Sequence, residues 1–355
     1  SYGYNKDFTI EEGFPMTTTD SLVHSATLPT PENKDYLNIY YKCKGTLNEK
    51  VMPYSHMQRL KLTTQTPFIE ICKWNNCSSG AVSISDDDGK HYTTNETFAA
   101  CKEELDQFNF KGTYFLAYTD EYTQDDWNYW NNVYNDGHEL AAHTVNHNCS
   151  WLHDEAYMRN EFETNNQHIT SNTDMTQEEL VSFAWPCGRS RSNYEEWASD
   201  YYIIARGYHI NEIEEDIPEN FYDVNSINTL GFGFNPPDYF LLADTTENNQ
   251  GWVNYVFHPV CQNEEIIPYV ASKDLWVDTF GDVGKYIHER VNTNIVNYQD
   301  TQTGSKFDVV TSLDPTIYDQ ELSFRVALFS EDVSEVKVNQ NNIDFETFYV
   351  NGVKN

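Results

Sequence analysis

Three consecutive carboxylates, Asp86, Asp87 and Asp88, are followed directly by Gly89. Adjacent aspartates repel one another, and a bound cation relieves that repulsion directly. A solvated acidic turn is the other reading, in a chain whose formal net charge is −34. Further along, His143 and His147 stand four residues apart. On a helical turn this spacing puts both imidazoles on one face, within reach of one ion. Surface histidines satisfied by solvent give the same spacing. Together, two histidines and one carboxylate make the ligand composition of a catalytic zinc site with positions left open for water.

Such groups need a scaffold. Ala81-Val-Ser-Ile-Ser reads as a short strand running straight into the aspartates, and the carboxyl ends of parallel strands are where α/β folds bind ligands. Apolar spacing at Phe98, Cys101, Leu105 and Phe108 predicts a helix over Asn95–Phe108. Gly112–Tyr118 reads as the next strand and Gln124–Tyr134 as the next helix. The alternation continues through Glu139–Ala142, Gln177–Phe183, Tyr194–Ser199 and Tyr202–Ala205, and a last helix spans Thr279–Asn294. Such alternation implies βα units around a parallel sheet or barrel. The flanks differ. Residues 1–67 read as a polar, strand-bearing extension, with alternation at Leu37–Tyr41 and Met57–Leu62. Residues 298–355 read as a small antiparallel β module, leaving 68–297 as the main domain.

Composition narrows the function classes. Of 355 residues, 39% are hydrophobic and 15% aromatic, enough for a sizeable core. The strong negative charge repels nucleic acid, anionic lipid and polyanionic glycans. No apolar run approaches the roughly 20 residues of a membrane span. No signal-peptide pattern opens the chain, so export implies a leader already removed. The seven cysteines (43, 72, 77, 101, 149, 187 and 261) form no paired CxxC units, which disfavours a cysteine zinc site and makes disulfides plausible with a thiol left over. Sequons at Asn76, Asn95 and Asn148 suit a glycosylated, secreted protein.

Ile84-Ser-Asp-Asp-Asp-Gly89, followed by Gly137-His-Glu-Leu-Ala-Ala-His-Thr-Val-Asn-His147, resembles the polysaccharide deacetylase family, the NodB-homology domain of carbohydrate esterase family 4. Phe183-Ala-Trp-Pro-Cys-Gly188 is similar to the family's third motif, and Trp252-Val-Asn-Tyr-Val-Phe-His-Pro259 to its late strand ending in histidine. The resemblance spans roughly residues 68–297 and keeps the family's motif order. It implies an irregular (β/α) barrel, here with an N-terminal extension and a small C-terminal antiparallel β module. It further implies Asp88, His143 and His147 as ligands of zinc or another divalent metal such as cobalt, Asp87 as general base and His258 as general acid. The backbone N–H of Cys187 becomes the oxyanion donor.

Two departures stand out. Asp86 replaces the aromatic residue that precedes the aspartate pair, and Ala184 stands where many members carry an arginine that orients the catalytic aspartate. Arg206, one strand later, is the candidate replacement, and Asp223 the candidate partner of His258. The implied activity is a secreted hydrolase that removes acetyl groups from a glycan, foremost N-acetylglucosamine polymers of the chitin type. The alternatives are an O-acetyl esterase acting on xylan or a similar glycan, and an inactive carbohydrate-binding or matrix protein on the same fold. The expected partner is the acetylated glycan, with neither nucleic acid nor membrane insertion involved.

Overall fold

The computed structural model describes residues 69–89, 102–150, 152–208, 212–228, 238–257, 265–301, 304–327 and 336–339, together with the backbone of short strands elsewhere. The chain divides into two compact units, Ile69–Arg325 and Ser1–Phe68 with Val326–Asn355.

In the larger unit the sheet is built from β1 (Ala81–Asp86), β2 (Thr113–Leu116), β3 (Glu139–Ala142), β4 (Ser182–Ala184), β5 (Ile204–Arg206), β6 (Ile227–Asn228), β7 (Trp252–Phe257) and β8 (Trp276–Val277). All its pairings are parallel, in the order β5-β4-β3-β2-β1-β7-β6, with β8 also on β1. The segment leading into β6 bridges the two edges. Val224 N–H donates to Ala205 O at 3.0 Å, and Ile227 then pairs with Tyr255 of β7. The sheet therefore curls into the expected irregular barrel.

Period-2 alternation sorts each strand's side chains into an inner and an outer layer. Ala81, Phe115, Ala141, Ala184, Ile204 and Trp252 share the inner cluster, where three alanines leave room for the large rings. Val82, Ile84, Tyr255 and Phe257 face outward into another cluster. The strands are buried on both faces, which is why they read as near-continuous apolar runs.

Helices α1 (Gln124–Asn135), α2 (Glu155–Asn172), α3 (Ser192–Ala198), α4 (Tyr239–Asn249), α5 (Ile266–Ala271) and α6 (Phe280–Asn292) fill the crossovers and the end of the domain. Their starts are chemically marked. Thr123 and Asp126 form a reciprocal capping box on α1, Asp154 caps α2, and Thr279 caps α6 by accepting from Asp282 N–H. Phe280, Val283, Tyr286 and Ile287 of α6 join the inner cluster. Each such fully buried large side chain contributes roughly 1.5–3 kcal/mol of transfer free energy. The first part of the helix expected over Asn95–Phe108 lies outside the described residues, while 102–107 are helical. Helix α2, 18 residues long, has no counterpart in the sequence reading.

After α6 the chain forms an antiparallel hairpin of β9 (Thr293–Thr301) and β10 (Gly304–Thr311), still within the larger unit. In the smaller unit Tyr36–Ile39 pairs antiparallel with Gln58–Lys61, and Val336–Val338 with Asn341–Ile343.

Candidate metal centre

Strand β1 ends at Asp86, and Asp87 remains tethered to the neighbouring strand through its N–H to Phe257 O at 3.4 Å. Alternation carries Asp87 toward the barrel interior with Ser83 and Ser85, and Asp86 outward with Val82 and Ile84. Asp88 then adopts φ 70° and Gly89 φ 55°, a left-handed turn that ends the strand. Gly89 is required there twice over, because a Cβ would lie 1.8 Å from the Tyr122 hydroxyl oxygen.

The turn aims Asp88 at the histidines that follow β3. Asp88 Oδ1 lies 3.5 Å from His143 Nε2 and 3.2 Å from His147 Nε2, and the two rings are 4.8 Å apart between centroids. Ligand atoms of the three residues lie within 4.8 Å of one another. The helical turn expected for the histidines is not formed. Residues 143–147 are a bend in which Thr144 has φ 64° and His147 φ 45°. The Thr144 hydroxyl accepts from His147 N–H at 3.1 Å and closes this tight turn, which brings the rings together by another route.

Does this set suit a metal? His143 Nδ1 lies 2.7 Å from the Ala184 carbonyl. A carbonyl only accepts, so Nδ1 carries a proton and donates it, and Nε2 is the nitrogen that faces Asp88. Buried His143 Nε2 and Asp88 Oδ1 make no hydrogen bond. Buried polar atoms are rarely left so. Burial raises the pKa of Asp88, but positive charge on His143 and His147 more than offsets this and holds its carboxyl below the usual range, a charge that a divalent cation can supply instead. An ionised carboxylate and two imidazole nitrogens converging without mutual hydrogen bonds are the donor set a divalent cation takes.

Asp87 sits beside this trio, its Oδ2 3.9 Å from His143 Nε2. Its Oδ1 accepts from the Arg206 guanidinium in a buried ion pair, and that guanidinium lies 4.4 Å from the centre of the Phe115 ring. Arg206, at the end of β5, thus reaches the aspartate that Ala184 cannot touch. Asp86 is elsewhere. It is buried, pairs in register with Tyr114, and neither of its oxygens has a hydrogen-bond partner. Burial first, and then Asp87, push its pKa well above the carboxylate range.

Helix α2 braces the bend. Asn165 Oδ1 accepts from His143 N–H at 3.0 Å, while its amide donates to Leu116 O and the Thr119 hydroxyl. Glu161 accepts from Asn146 N–H at 2.9 Å and from the Asn146 side-chain amide. Neither residue was singled out from sequence; polar residues one turn apart in a helix otherwise spaced for burial were the available signal.

Cys187 lies on the turn Pro186–Gly188 with φ 56° and is disulfide-bonded to Cys149, two residues beyond His147. The sulfur is therefore no nucleophile, and the backbone N–H remains the group of interest. A second disulfide joins Cys72 and Cys77. A shallow cleft beside the trio is lined by Thr144, Asn148, Tyr157, Trp185, Pro186 and Arg189. His258 lies outside the described residues, although β7 runs to Phe257 and pairs there with Asp86. Asp223 stands in the turn before Val224, its N–H donating to Asn220 O at 3.1 Å.

Residues 75–203 match the family model described as polysaccharide deacetylase. Along 89% of its length the chain is 21% identical to a gellan lyase from Bacillus sp., and it spans 13% of that protein. Similar solved structures include a family 4 carbohydrate esterase pseudoenzyme from Bacillus anthracis, with 15% identity, TM-score 0.42, and 58% of this chain and 65% of that one covered. A family 4 carbohydrate esterase from the same organism has 14% identity and TM-score 0.40, covering 58% and 83%. The esterase domain of a multidomain xylanase from the hindgut metagenome of Trinervitermes trinervoides has 13% identity and TM-score 0.41, covering 57% and 89%.

Proposed function

From the match of residues 75–203 to the polysaccharide deacetylase model, we propose that the protein is a member of that family, a secreted, zinc-dependent hydrolase that removes acetyl groups from N-acetylglucosamine polymers. The observation that carries this reading is the convergence of Asp88, His143 and His147, with His143 held by Ala184 O so that Nε2 faces inward. Asp88, His143 and His147 would hold zinc or another divalent ion, which would supply Lewis-acid polarisation of the acetyl carbonyl and a lowered pKa for a nearby water. Asp87, held by Arg206 and placed beside the trio, accepts the proton of the attacking water. The N–H of Cys187 is offered to the developing oxyanion from a turn pinned by the disulfide. His258 donates a proton to the leaving nitrogen.

An uncharged glycan chain suits a protein of net charge −34 better than a polyanion does. The two disulfides among the described residues support an oxidising, extracellular location. Acetate release by zinc-loaded protein across chitin oligomers, acetylated xylan and a peptidoglycan fragment tests the proposal. Release from the chitin oligomers is expected. Release from acetylated xylan alone would assign the site to O-acetyl esters, and release from none would leave a carbohydrate-binding protein.

A further inference from the structure

The Cys149–Cys187 disulfide does more than tie two loops. One His147 nitrogen and the sulfurs of Cys149 and Cys187 lie within 4.8 Å of one another. Cys187 is exposed and Cys149 half-buried, so a small reductant can reach the bond. The Cα atoms are 5.7 Å apart, and Cys149 Sγ lies 3.8 Å from His147 O. Two thiolates on a tetrahedral zinc, each about 2.3 Å from the ion, stand about 3.8 Å apart. Rotation about the side-chain bonds covers that small change without moving either backbone.

We infer that reduction of this disulfide creates a second divalent-metal site, made of Cys149, Cys187 and His147, which takes zinc or cobalt. The chemistry balances with a phosphine as reductant. The disulfide gains two electrons and becomes two thiols, while the phosphine and one water become a phosphine oxide. Each thiol then loses its proton on binding the ion. Thiolates hold zinc and cobalt more strongly than a carboxylate does. The new site also draws on His147, a residue of the Asp88 trio. Reduction therefore brings a second set of metal ligands within reach of a ring that also belongs to the trio. The thiolate site does not depend on the proposed hydrolase activity.

The test is a cobalt titration of protein reduced under nitrogen with a trialkylphosphine and freed of excess reductant. A thiolate-to-cobalt charge-transfer absorption should appear in reduced wild type and in the reduced Cys72→Ser, Cys77→Ser double variant. It should be absent from the oxidised protein and, in the Cys72→Ser, Cys77→Ser background, from reduced protein that also carries Cys149→Ser and Cys187→Ser. His147→Ala should weaken cobalt binding at the thiolates by more than about 100-fold, beyond the ~10–100-fold that loss of an outer-shell contact costs. Asp88→Asn should leave the absorption intact, which separates this site from the trio. The inference is overturned if the reduced protein loses its fold, if it keeps its fold without the absorption, or if the absorption persists without Cys149 and Cys187.

Discussion

Strand β3 connects two buried polar clusters that behave differently. At its start, Glu139 accepts from Ser182 Oγ, from Thr113 Oγ1 at 2.8 Å and from Gly281 N–H at 2.9 Å. Just past its end, His143 Nε2 and Asp88 Oδ1 face each other at 3.5 Å with no hydrogen bond made. Both places are almost fully buried. At the amino end of the strands every carboxylate oxygen has a partner, so the cluster is sealed. At the carboxyl end donors converge on one centre and stay unmatched among themselves. Burial and polarity alone do not mark a site. Convergent groups that cannot satisfy each other do.

The two ends should therefore answer to different perturbations. Largest is the loss expected at Asp87. Asp87→Asn should keep the metal and lower turnover by ~10²–10⁴-fold, the range for a positioned proton acceptor. Metal analysis beside acetate-release kinetics checks both halves, and an unchanged rate would remove Asp87 from the chemistry.

His258→Ala should fall in the same range on N-acetyl sugars but less on an activated aryl acetate, whose leaving group needs no proton. Metal content should not change. Equal losses on both substrates would mean that His258 does not protonate the leaving group.

At the opposite end the response is to pH. Burial first, with Asp282 adding to it, raises Glu139 to about 7 from an ordinary 4.5. Asp278 is likewise raised to about 7, burial again coming first. Between those values the folded protein holds a proton that the unfolded chain releases, so stability falls as pH rises from 4.5 to 7. Glu139→Gln keeps the geometry: its amide donates to Ser182 and its carbonyl accepts from Thr113 and Gly281. This variant should flatten part of the fall in thermal stability, by up to about 3 kcal/mol between the ends of the window. Deacetylation should be untouched. Thermal melts across the window decide it, and an unchanged slope would mean Glu139 is ionised throughout.

Smallest is Asp86→Asn. Its side chain faces away from the trio, and burial favours the neutral form that asparagine mimics. Metal content and turnover should match wild type. Loss of turnover with metal retained would shift the general base by one residue.

How far sequence alone could see follows from the same contrast. Strands such as Ala81–Asp86 and Trp252–Phe257 carry continuous apolar runs because both faces are buried, and the motifs sit where those runs stop. Helix α2 escaped because its buried face includes Glu161, Asn165 and Asn166, which breaks the apolar stripe that betrays a helix. Those residues are polar because they hydrogen-bond the histidine bend and Tyr202. The bend itself was misread as helical, since spacing says nothing of the left-handed Thr144 and His147. Ala184 looked like a missing arginine, yet its carbonyl holds His143; backbone acceptors leave no trace in residue identity. The Cys149–Cys187 pairing, 38 residues apart in sequence, needed three-dimensional proximity to be found.

The central claim is that Asp88, His143 and His147 hold a catalytic divalent ion, and metal content measured together with acetate release tests it most directly. Wild type should carry about one equivalent of zinc per chain, matching one three-ligand site. It should release acetate from N-acetylglucosamine oligomers. The His143→Ala, His147→Ala double variant should lose both properties while keeping its fold, and Glu139→Gln should lose neither. Equal zinc in wild type and the double variant, or acetate release by metal-free protein, would contradict the account.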